Sequence, residues 1–80
     1  MSAAEAQEVK NLLLRSNDQY RQLSERHHQL DYRLSQLIQL PYLTASEQVE
    51  EVTLKKRKLA LKDQMEQMAL EYAKSHFRAS

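Results

Sequence analysis

Val9, Leu13, Ser16, Tyr20, Leu23, His27, Leu30, Leu34 and Leu37 follow one another at alternating steps of four and three residues. That spacing is a heptad seam, the pattern of a helix that lays one stripe against a partner. Leu12 and Ile38 widen the stripe on its flanks, and at about 100° per residue the whole set shares one side of the helix. Ser2 and Glu5 form a capping box, in which the serine oxygen accepts from a backbone N–H three residues on and the glutamate reaches back. Pro41 has no N–H and pushes Leu40 out of the α region. The pattern therefore predicts one helix over about 3–39.

A second helix follows from the signals at its two ends. Thr44 and Glu47 give another capping box. Glu47, Glu50 and Glu51 fill the first two turns, where carboxylates oppose the positive end of the helix dipole. Lys74, His76 and Arg78 occupy the far end, where cations are favoured. These place a helix at about 45–76 and a turn at about 40–44. A connection this short forces the helices antiparallel. The expected fold is all-α: a long two-helix hairpin in a single domain spanning 1–80, each helix roughly 50 Å long at 1.5 Å per residue.

The second helix carries two apolar stripes rather than one. Leu54, Lys58, Leu61, Met65, Met68 and Tyr72 form a seam that can face the first helix. Val52, Leu59, Leu70 and Phe77 form another stripe, close to the opposite side. Four apolar residues aligned along one exposed face mark a contact surface. A two-helix hairpin buries only one face of each helix, so its core is thin. Assembly into a four-helix or larger bundle would bury the second stripe and offset much of the cost of ordering the chain. A homo-oligomer is the expectation, with Val52, Leu59, Leu70 and Phe77 as the contact to a second copy or a protein partner.

Composition narrows the chemistry. Eighty residues make one domain at most, and 41% hydrophobic with 29% charged at a net charge of +1 fits neither a disordered chain nor a charged tail. The absence of cysteine removes disulfides, thiolate metal sites and thiol nucleophiles. The absence of glycine removes phosphate-cradling loops, which need positive φ and close backbone approach. The N-terminal "MSAAEAQEVK" lacks the basic and apolar segments of a secretory signal. No apolar run approaches the roughly 20 residues of a membrane span. A cytoplasmic protein without membrane association is expected.

His27, Leu30, Asp31 and Leu34, spaced H-x-x-L-D-x-x-L, followed past the turn by "LKKRKLALKDQM" from Leu54 to Met65, resemble the small bacterial YdcH-like family. The second run is the more specific, and the likeness covers roughly residues 20–70. The resemblance implies a helical hairpin that tends to assemble in a bacterial cytoplasm. It implies no activity, because the family is a domain of unknown function. The turn, "QLPYLTASEQ", is more apolar than the family pattern, which leaves Tyr42 and Leu43 to cover the end of the core.

His27 and Asp31, four residues apart, share a helix face and could together ligate a metal. His28 points about 100° away, and His76 lies near the distal end of the second helix, so the set is poor. A structural role for His27 and Asp31 as polar members of the seam is the better reading, and neither a metal nor a cofactor is expected. Ser24 and Ser35 have no loop beside them to build an oxyanion hole. A hairpin has almost no cleft for a small-molecule substrate. An enzyme is not expected. The "LKKRK" run resembles a nucleic-acid signal, but on a helix only Lys55, Lys58 and Lys62 align as a ridge. Acidic residues bracket them, and no aromatics interleave to stack bases. The sequence thus reads as a non-enzymatic helical hairpin working through helix–helix contacts. Phosphate binding by Lys55, Lys58 and Lys62 is the alternative.

Overall fold

The computed structural model describes residues 2–76. Three helices follow one another: α1 (Ala3–Ser16), α2 (Asp18–Gln39) and α3 (Ala45–His76). No strand occurs among the described residues. α2 and α3 pack together as the hairpin that the proline and the two helix patterns predict. The second capping box forms in both directions. The Thr44 N–H donates to Glu47 Oε1 at 2.9 Å, and the Glu47 N–H donates to Thr44 Oγ1 at 3.1 Å. At the chain's start the serine half of the first box is in place, with the Glu5 N–H donating to Ser2 Oγ at 3.2 Å.

The single helix expected over 3–39 is broken at Asn17, and this corrects the sequence reading. Asn17 is extended, at φ −122° and ψ 111°. Its N–H still donates to Leu13 O at 2.9 Å, closing α1, while its Oδ1 accepts from the Tyr20 N–H at 2.8 Å, opening α2. One residue thus caps both helices. Asparagine suits the second task because its short side chain reaches the free N–H groups of a new first turn. Asp18 adds a carboxylate in that turn and pairs with Arg21. Ser16 turns its hydroxyl back onto Leu12 O at 2.7 Å and is exposed, so it is not a member of the seam.

The break redirects α1. In an unbroken helix Lys10 and Tyr20 would be about 15 Å apart along the axis. Instead both reach the same stretch of α3: Lys10 Nζ bonds Glu66 Oε1 at 3.0 Å, and Tyr20 packs with Ala69. α1 is a third helix laid against the open end of the hairpin. Val9, Leu13, Tyr20, Ala69 and Ala73 make its core, with Met65, Met68 and Tyr72 packed around them. Ala69 and Ala73 stand four apart and present a flat strip of methyl groups, which lets the α1 side chains approach the α3 backbone. A second cluster closes the turn end: Leu34, Leu37 and Leu54, with Leu30 and Leu43 against them. Leu43 covers the core end as expected, but Tyr42 does not, being 88% exposed. Ile38, counted at the edge of the first stripe, is also exposed.

Candidate functional site

α3 has apolar residues on opposite sides, so one side alone can be used within the chain. The inward side supplies Leu54, Met65, Met68, Ala69 and Tyr72 to the two clusters. The other side keeps Val52, Leu59 and Leu70 in solvent, at 51%, 59% and 43% exposure. Phe77, the fourth residue expected in this contact, lies outside the described residues. Val49, 67% exposed, extends the stripe toward the turn. Its spacing of three from Val52 is the signal that would have found it.

The lysine ridge is largely paired within the chain. Lys58 Nζ binds the Asp31 carboxylate across the hairpin, and Lys55 Nζ lies 3.5 Å from Glu51 Oε1. Lys55, Lys58 and Lys62 together line a groove of about 330 Å³ between α2 and α3, with Asp31, Leu34 and Leu59. Two of the three positions that would meet phosphates thus already face carboxylates.

Asp31 takes its partner from α3, not from His27. The hydrogen bond from Lys58 holds its carboxyl below the usual range against an opposing desolvation cost, and the charges of Lys58, His27 and His28 add to the lowering. His27 is half-buried, with its ring edge-on to His28 at a centroid separation of 6.2 Å. It lines a groove with Tyr20, Lys58 and Met65, between the two apolar clusters. His27, Asp31 and Lys58 therefore form a half-exposed polar waist between the two apolar clusters. Among the described residues, no group of three or more His, Cys, Asp or Glu side chains is placed to hold a metal ion. None of the described helices is long and apolar enough to cross a membrane.

A further ion pair escaped the sequence reading. Arg33 Nε donates to Glu50 Oε2 at 2.8 Å and Nη2 to Glu50 Oε1 at 2.9 Å, a two-pronged bond joining α2 to α3 near the turn. These bonds hold the Glu50 carboxyl below its ordinary range and raise the Arg33 guanidinium, both against a smaller desolvation effect. Cross-helix pairs of this kind depend on the interhelical register, which spacing within one helix does not reveal. Burial raises the Tyr20 phenol, and the nearby Glu66 charge adds to this while Lys10 opposes it.

The geometry defines a small helical protein built on a hairpin, with a row of aliphatic residues on the outer face of its longest helix open to solvent. Residues 21–69 match the family described as a protein of unknown function, DUF465, which includes the YdcH-like proteins, and the chain belongs to that family. Neither the curated proteins nor the solved structures yield a match to the chain.

Proposed function

We propose that this protein is a non-enzymatic cytoplasmic hairpin that works through helix–helix contacts, first with a second copy of itself and then with a protein partner. One observation carries the reading: Val52, Leu59 and Leu70 align on α3 and are 51%, 59% and 43% exposed, after the chain has built its cores from the other side. Aligned aliphatic residues in water favour burial at about 25 cal/mol per Å² of apolar surface removed, and no further helix among the described residues covers them. The polar surroundings fit the same use. Lys55 and Lys58 are already paired with Glu51 and Asp31, which lowers the attraction of this face for phosphates. The test is sedimentation of the wild type over a concentration series beside Leu59→Lys. Association that rises with concentration and is weakened by the substitution supports the reading. A wild type that stays monomeric at hundreds of micromolar overturns self-association.

A further inference from the structure

We infer that the open side of α3 docks on the same side of α3 in a second copy of this chain, antiparallel, with Val52 of one copy against Leu70 of the other and Lys56 against Glu66. This rests on the self-association reading and adds orientation and register to it.

The open side is a heptad seam in its own right: Val49, Val52, Lys56, Leu59, Asp63, Glu66 and Leu70 follow at alternating steps of three and four. Its ends are apolar and its middle is charged around Leu59. The order of those charges decides the orientation. A parallel, in-register pair stacks Lys56 on Lys56, Asp63 on Asp63 and Glu66 on Glu66, which is repulsive at each layer. An antiparallel pair can instead set Val52 against Leu70, Lys56 against Glu66 and Leu59 against Asp63. A slip of one heptad in one direction places Val52 opposite Asp63 and Lys56 opposite Leu59. A slip in the other direction sets Leu59 opposite Leu70 but places Asp63 opposite Glu66. Only the first register joins apolar to apolar at both ends and sets each Lys56 against a carboxylate, with Leu59 against Asp63 at its centre.

The receiving surface has a matching shape. Leu70 lines a groove of about 390 Å³ between α1 and α3, together with Ala6, Lys10, Asp63, Glu66 and Gln67. Ala6 is small, which leaves room beside Leu70 for the two methyl groups of a valine. Lys10 bonds Glu66 Oε1 at 3.0 Å, and the Asp63 carboxylate lines the same groove, so the groove holds two carboxylates and one ammonium and a second cation from Lys56 is favoured. With two-fold symmetry every contact is made twice, and α1 forms part of each seat.

The absence of cysteine makes a clean test. Val52→Cys and Leu70→Cys are made singly at exposed positions, and oxidation is carried out on each alone and on their mixture, with the wild type sedimented in parallel. The mixture is expected to yield a covalent dimer while each single variant does not. In this register the two copies of position 52 lie about 27 Å apart, far beyond the roughly 7 Å that a disulfide spans. Lys56→Glu is expected to raise the dimer dissociation constant at least about tenfold, because symmetry removes two interfacial charge pairs at once. A wild type that associates but gives no mixed disulfide, or a Val52→Cys variant that readily cross-links to itself, overturns the register and leaves self-association standing. An unchanged constant for Lys56→Glu overturns the charge pairing. A monomeric wild type overturns both.

Discussion

Arg33 and Glu50 meet through two hydrogen bonds of 2.8 and 2.9 Å, so the guanidinium of α2 and the carboxylate of α3 lock the hairpin's register near its turn. A planar fork on both sides gives this pair directional specificity that a lysine would lack. Glu50 is held below its ordinary range by the bond to Arg33, so the folded state resists protonation more than the unfolded chain does. The pair's stabilising contribution is therefore present above the unfolded carboxyl value and is lost as the pH falls through the lower folded value. Denaturant melts should place Glu50→Gln below the wild type at pH 7, with the gap closing in strong acid. A gap that grows on acidification contradicts the sign.

Asp31 and Lys58 give a parallel expectation in the middle of the hairpin. Asp31 is lowered chiefly by its bond to Lys58, so Asp31→Asn should also cost stability near neutrality and little in strong acid. Because half of this carboxylate is in water, the effect should shrink with added salt. A cost unaffected by salt would mean that packing, not charge, holds the waist.

Asn17 offers a test of the helix break. Asn17→Ala removes the acceptor for the Tyr20 N–H and should cost about 1 kcal/mol, whereas Asn17→Ser keeps an acceptor and should cost less. Urea unfolding midpoints separate the two variants. Equal midpoints for alanine, serine and wild type would show that the cap does not fix the break.

The α1 seat depends on small residues. Ala69 is 3% exposed beneath Val9, Leu13 and Tyr20. Ala69→Leu should overpack that seat and cost about 1–3 kcal/mol, while Leu13→Ala should cost about 2–5 kcal/mol through the cavity it leaves. Thermal unfolding of both variants checks the contact. An Ala69→Leu variant as stable as the wild type would place α1 away from α3.

The basic ridge gives the discriminating prediction between the two functional readings. Replacing Lys55, Lys58 and Lys62 with glutamine should leave the helical circular-dichroism signal and the self-association intact, with a modest stability loss from the broken Asp31 pair. The wild type should elute early from heparin. Strong retention that falls steeply with salt and disappears in the triple variant would favour the phosphate reading.

Local chemistry determined much of this protein before any tertiary contact is considered. Pro41 cannot donate to a helix, Thr44 and Glu47 satisfy each other's neighbouring N–H groups, and Ser2 caps the start. Each acts within a few residues, so helix limits near 3, 39, 45 and 76 are written in the chain. The two stripes of α3 are equally visible, because periodicity within one helix fixes which residues share a face. Asn17 was legible only in part: the Ser-Asn-Asp run with a serine in a seam position is a helix-start signal, but the heptad spacing runs through it unbroken. Only the packed structure decided that α1 turns there. The reason is that Val9 and Leu13 can bury fully against the alanine strip of α3, and a one-residue break gives them that site. Tertiary structure likewise decided the partners of the charged groups. Asp31 shares a helix face with His27, yet the ammonium that reaches its carboxylate comes from Lys58 on the opposite helix. Arg33 finds Glu50 in the same way. Such pairs are set by how two helices align across space, a quantity that spacing along either helix does not contain.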